Sequence, residues 1–399
     1  MVKHIQWRYY VLAALYSGGA NATSALLMIF LLSRGLDERG AMLAYACYFL
    51  ALALVEIPTG AGADVGGRKR AFVIACGINA VGMMTYAFAE SFFAFALAAS
   101  VVGVGTALAG GTLDSWLVAQ MKRQPEGEEA IPETFFRTAI LKCVVAAAAG
   151  FVGIVYAGES MMVTWVAASV IFAGTGLLAH CVMREADFDE KPRLSNRETC
   201  AALRKTAQDA IAYWRANANV RFIVVAVAAL YCSMVIPNML WQPHFLQWLP
   251  DKSYLGYVWA GAQAANALGA LVAMRIAQYG RESGRKALLI CHVVVAVGII
   301  GSAMGGNIAA SLLWYFVYQA GRGAFEPINR AYLHRSIDSE GVRTTVASIE
   351  AIGHHLGSAL GLVIGAQVVY SLSREMALIL AGALLLAYTL SRLTKNGKG

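Results

Sequence analysis

Arg322, Glu326 and Arg330 stand four residues apart in an otherwise apolar stretch. At helical spacing they share one face, and Pro327 weakens the helix beside the carboxylate. Glu326 is then a candidate proton carrier under the influence of Arg322, or the two neutralise each other and only hold their helix in place. The next apolar stretch puts Glu350 one turn from His354, with His355 following. A carboxylate beside an imidazole can relay a proton near neutral pH, because His titrates closest to that range. Packing in a satisfied core is the other fate open to His354. Glu326, Arg322, Glu350 and His354 are therefore the proton-coupling candidates. Among uncharged groups, Asn21, Asn238, Trp241, Gln242, Gln263, Asn266 and Gln319 lie inside apolar stretches. Together they suit a mostly apolar cavity with a few hydrogen-bonding groups, and singly they suit bonds between helices.

These groups need a scaffold that accounts for the apolar sequence around them. Of 399 residues, 58% are hydrophobic and only 14% charged, too few charges to give several soluble cores a polar surface. Twelve stretches are long enough to cross about 30 Å of hydrocarbon as helices. They are 9–32, 41–63, 72–90, 92–120, 136–157, 161–183, 222–247, 254–276, 286–304, 308–334, 343–370 and 375–393. Many of the 39 Gly lie within them, where small residues allow close helix approach, as in the stripe Gly353, Gly357, Gly361 and Gly365. The polar interruption from Arg184 to Arg221 divides the chain into bundles 1–183 and 221–399, joined by a linker 184–220 that carries a surface helix.

Most of the 32 Lys and Arg fall on one side of this arrangement, whereas Arg34, Arg39, Lys252 and Arg374 lie on the other. The bias predicts both termini inside and explains the net charge of +8 without a nucleic-acid partner. The first stretch has full span length with no small-residue cleavage pattern after it, so helix 1 is expected to act as the insertion signal. The seven Cys are scattered singly and predict neither a metal nor a redox centre.

Landmarks recur in order in the two halves. Gly67-Arg68-Lys69 returns as Gly284-Arg285-Lys286, Gly111-Thr112-Leu113-Asp114 as Gly323-Ala324-Phe325-Glu326, and Arg137-Thr138 as Arg343-Thr344. Such repeats are one way transporters are built, with substrate bound at the repeat interface. The run from Glu56 through Gly60, Asp64 and Gly67 to Arg68, Lys69 and Arg70 then resembles the helix 2–3 signature of the major facilitator superfamily. Tyr231 to Gln247 and Val342 to Ser348 resemble a bacterial branch known as drug or metabolite efflux permeases. The resemblance implies an all-α integral membrane fold of twelve helices in two pseudo-symmetric six-helix bundles. It implies a latch in which Gly60 and Gly67 permit close packing, Asp64 meets the start of helix 11, and Arg68 pairs with Asp114. A plain topology signal from the three bases, with Asp64 as a helix cap, is the simpler alternative.

The function expected is alternating-access transport, proton-coupled efflux of a small amphipathic compound by a monomer in the bacterial inner membrane, with no cofactor beyond an ion gradient. Proton-coupled uptake is the alternative. Helix 4 lacks the mid-membrane Arg, and helix 5 the Gly-Pro pair, that many antiporters of the family carry. A receptor or scaffold lacks a signalling segment outside the spans. An enzyme lacks an evident nucleophile or ligand cluster, and there is no phosphate-binding Gly-rich loop for ATP.

Overall fold

The computed structural model describes residues 2–157, 160–184, 208, 211–279, 284–335 and 343–396, with side chains except at 57–66, 276–279, 334–335, 343–345 and 395–396. The described residues are almost wholly helical. In chain order the helices are α1 Val2–Ala22, α2 Leu27–Ser33, α3 Glu38–Gly66, α4 Arg68–Phe88, α5 Phe92–Ala109, α6 Thr112–Met121, α7 Ile131–Tyr156 and α8 Met162–Val182. They continue as α9 Ala218–Leu246, α10 Leu255–Tyr279, α11 Gly284–Met304, α12 Ile308–Arg335, α13 Arg343–Ser371 and α14 Arg374–Asn396. Local chemistry sets several ends. Ser91 caps α5 by accepting from the Ala94 amide, and Asn217 caps α9 by accepting from the Asn219 and Val220 amides.

Among the described residues nine helices are long and apolar enough to cross a membrane, and the bent pair α1 and α2 makes a tenth. The twelve spans expected from the sequence include two that fall short of that apolarity, α10 and α12. Both are long enough, but α12 carries Arg322, Glu326 and Arg330, and α10 carries Gln263, Asn266 and Arg275. Two expected spans are also broken. The first bends by 41° between α1 and α2. The fourth breaks at Gly110 and Gly111, where Gly111 adopts φ +66, a left-handed conformation that costs glycine little. The linker helix expected within 184–220 falls largely outside the described residues.

The chain forms two compact units. One comprises Met1–Leu26 and Cys47–Ala207, the other Leu27–Ala46 and Gln208–Gly399. In the first, α4 packs on α5 and α8, and α1 packs on α7 and α8. In the second, α11 packs on α12 and α14, and α9 packs on α13 and α14. The order of partners is the same, so the repeated landmarks of the sequence sit in repeated packing. Close approach explains the glycine stripe of α13. A Cβ at Gly357 or Gly361 would overlap the carbonyl of Ala228 or Cys232 on α9, leaving no room for any side chain.

Candidate functional site

In the second unit, polar side chains form successive tiers along the seam of α9, α12 and α13. Residues three or four apart on a helix stack about 5 Å from tier to tier. The first tier is aromatic. Trp241 of α9 is buried, with Trp259 of α10 stacked on one side at 6.1 Å and Tyr315 of α12 on another at 6.2 Å. In the next tier the Tyr318 hydroxyl donates to Asn238 Oδ1 at 2.7 Å, and Arg322 Nη1 donates to the same oxygen at 3.3 Å. In the third, Glu326 accepts from Arg330 Nε at 2.7 Å, and Asn329 Nδ2 donates to Glu350 at 3.0 Å. The His354 ring lies 3.5 Å, centroid to centroid, from that of Tyr231. Tyr231 is electrostatically coupled to Glu326, Arg322, Glu350 and Arg330, two charges of each sign.

All four proton-coupling candidates thus gather around one tyrosine that was not singled out from the sequence. Its signal was available, because Tyr231 stands seven residues, two turns, before Asn238 on the same helix. The Arg322–Glu326 pair is not the one formed. Both arginines stand four residues from Glu326, so spacing alone does not choose, and the carboxylate turns to Arg330. Glu326 is 48% exposed and Arg322, Glu350 and His354 are half-buried. Charges inside a span are costly against hydrocarbon, and such groups face a bundle interior or a water-filled cavity.

Three expected cavity residues bond to other protein groups. Gln242 is buried, and its Oε1 accepts from the Met28 and Ile29 amides at 2.9 and 3.2 Å, two donors that the start of α2 leaves without helical partners. Gln319 is buried and donates to the Tyr315 hydroxyl at 2.9 Å. Asn21, half-buried, donates to the Ser17 carbonyl within its own helix at 2.9 Å. Trp241 is closed off by its ring partners, whereas Trp259, Gln263, Asn266 and Asn238 are half-buried. Beside Trp241, a cavity of about 10 Å³ lined by His244, Ser302 and Tyr315 has room for no more than a water.

Sequence reasoning missed a further group, where α3 and α14 begin. Arg374 donates through Nε and Nη2 to Glu38 Oε1 and through Nη1 to the Pro243 carbonyl at 2.7 Å. The side chains are only 25% and 16% exposed. The available signal was an acidic residue and a basic residue, each opening a span.

In the first unit, the break before α6 puts Asp114 in that helix's first turn, where the positive helix end favours a carboxylate. The buried Tyr9 hydroxyl donates to it at 2.6 Å. Arg68, the partner expected for Asp114, instead donates to the Ser115 carbonyl at 3.1 Å. Gly60 and Asp64 lie on α3 among residues whose side chains are not described, so that part of the latch falls outside the described residues. Gly67 precedes α4 with φ +95, a backbone shape that favours glycine. Tyr9→Phe should cost about 1–3 kcal/mol by leaving a charged acceptor without its donor, seen as a lower melting temperature of the purified protein. Among the described residues no group of three or more His, Cys, Asp or Glu is placed to hold a metal.

Solved structures share this architecture at low sequence identity. A point mutant of the nucleoside transporter NupG superposes with a TM-score of 0.81 at 12% identity, covering 98% of this chain and 99% of that one. A POT family transporter in complex with 5-aminolevulinic acid gives 0.77 at 12%, over 98% and 96%. A mutant of peptide transporter POT in complex with sulfate gives 0.79 at 13%, over 98% and 94%. These neighbours are nucleoside and peptide transporters, so the likeness establishes the fold and does not single out the efflux branch. No curated protein matches the chain. The Major Facilitator Superfamily model matches residues 9–361, most of its length. With that match and the all-helical fold of these transporters, the chain belongs to the Major Facilitator Superfamily, as a multi-pass membrane transporter of small molecules.

Proposed function

We propose that this secondary transporter is proton-coupled and carries a small amphipathic organic solute by alternating access, with Glu350 and Glu326 as the carboxylates that exchange the proton. The gathering of Glu326, Arg322, Glu350 and Arg330 around Tyr231 carries this reading. Glu326 is held in an ion pair, so protonating it sacrifices that pair. The Asn329 amide donates to Glu350 and retains an oxygen to bond in either protonation state. His354 packs its ring against Tyr231 beside these carboxylates.

The wider framework is a bundle 1–183 and a bundle 221–399, joined by the linker 184–220 and moving against each other, with both termini cytoplasmic, in the bacterial inner membrane and acting as a monomer. The latch of Gly60, Asp64, Gly67, Arg68 and Asp114 would close the inner side. Asp114 then exchanges its Tyr9 partner for Arg68 between states.

Import, with proton and solute moving together, is favoured over export. The helix 4 arginine and helix 5 Gly-Pro pair of antiporters are missing, and the superposed transporters are named for nucleosides and peptides. Proteoliposomes with an imposed pH gradient decide the direction. A panel of organic solutes should include compounds that accumulate on the alkaline side. Extrusion toward the acidic side would establish efflux, and fluxes insensitive to the gradient would exclude proton coupling.

A further inference from the structure

The guanidinium of Arg322 is half-buried midway along α12, and no carboxylate among the described residues lies within 4.0 Å of it. Its polar neighbours are neutral: Nη1 donates to Asn238 Oδ1 at 3.3 Å, and the Tyr318 hydroxyl lies within hydrogen-bonding reach of the guanidinium. That oxygen already receives the shorter bond from Tyr318. The two carboxylates nearby are engaged by other groups, Glu326 by Arg330 and Glu350 by Asn329. The remaining donors form a fork suited to two oxygens of one planar anion.

One to two turns away stands a flat surface. Trp259, half-buried, lies parallel to Trp241, and Trp241 to Tyr315, with interplanar angles of 26° and 25°. Tyr315, Tyr318 and Arg322 occupy the same face of α12, and Asn238 and Trp241 the same face of α9, so the fork and the aromatic surface are about 5–10 Å apart. Gln263 and Asn266, at i and i+3 on the helix of Trp259, add neutral half-buried amides.

From this arrangement we infer that the transported solute is a small organic monoanion with an aromatic or similarly flat apolar part. The anionic group docks on Arg322, replacing its weak bond to Asn238, and the flat part rests against Trp259. The proposal builds on the transporter reading and adds the substrate's charge class. It also gives the pair of α9 and α12 residues a purpose that packing alone does not, since a guanidinium with no direct carboxylate partner among the described residues is kept inside a span.

The test measures binding, separately from transport, to the full-length protein in lipid nanodiscs. Tryptophan fluorescence is titrated with phenylacetate and indole-3-acetate, with their neutral amides, and with phenethylamine and tryptamine. The two acids should bind at least tenfold more tightly than the amides and amines. Arg322→Gln should abolish that preference, and Arg322→Lys should keep the charge but weaken acid binding by losing the fork. Asn238→Asp supplies a second check in a protein that keeps Arg322, because a carboxylate installed beside the guanidinium should compete with the acids and weaken their binding tenfold or more.

Equal affinity for acids and amides, preference for the amines, unaltered acid binding in Arg322→Gln or Asn238→Asp, or no binding by any of the six compounds would each overturn the proposal. Gradient-driven flux of neutral or cationic solutes in the proteoliposome panel would leave the transporter reading standing while this one fell.

Discussion

Glu350→Gln should abolish solute accumulation against a gradient while leaving exchange of solute down its gradient near the wild-type rate. Gln has the same shape and still offers Asn329 an acceptor, but it cannot take a proton. One proton moving with one solute across a difference of one pH unit supports about a tenfold accumulation, since a tenfold ratio corresponds to 1.36 kcal/mol. The variant should fall to a ratio near one. Glu326→Gln should have the milder accumulation defect and little effect on stability, because its i, i+4 pair with Arg330 is largely exposed. Accumulation and exchange, measured in the same proteoliposome preparation, separate coupling from packing. A variant that lost both together would place Glu350 in the fold rather than in proton transfer.

Arg374→Ala should release the stretch Leu27–Ala46 from the rest of the second unit. That stretch is continuous at both ends with helices of the first unit, yet it packs with α9 and α14 through the Arg374–Glu38 pair and the Gln242 cap on α2. Removing the arginine leaves Glu38, mostly buried, without its charge partner and the Pro243 carbonyl without its donor. Losing charge-assisted bonds of this kind costs about 2–3 kcal/mol, enough to shift a two-state equilibrium about 30- to 150-fold. Hydrogen exchange over residues 27–46 should accelerate by such a factor. The combination of Glu38→Arg with Arg374→Glu should restore much of the protection. Unchanged exchange in the single variant would reduce the pair to a surface contact of little weight.

Much of this architecture was legible in the sequence because the bilayer imposes it. Apolar length dictates helices, and small residues dictate which faces meet, as Gly357 and Gly361 do against Ala228 and Cys232. The second-unit charges were legible as a group, since few ionisable residues interrupt these helices. Their pairing was not. Glu326 has an arginine four residues away on either side, and only the surroundings of α12 direct it to Arg330.

The break between α1 and α2 was equally hidden, since Thr23 to Leu26 contains neither Gly nor Pro. The freed amides are met by Gln242, 214 residues from Met28 along the chain. The same long-range bond explains why a glutamine suited to a solute cavity serves the backbone instead. At the fourth span the sequence carried its own signal in Gly110-Gly111, but the turn's consequence, Asp114 placed in a helix's first turn beneath the Tyr9 hydroxyl, depends on a residue more than 100 positions away. Sequence spacing reports neighbours on one helix. The partners that decide chemistry here come from other helices.

Proton movement driven by solute alone tests coupling most directly. Proteoliposomes holding a pH-sensitive dye, with equal pH on both sides, receive a solute gradient of a compound the protein carries. The interior should acidify as solute enters, a protonophore should abolish the signal, and Glu350→Gln should lack it while still moving solute. Solute entry by the wild-type protein with no change in interior pH would contradict proton coupling.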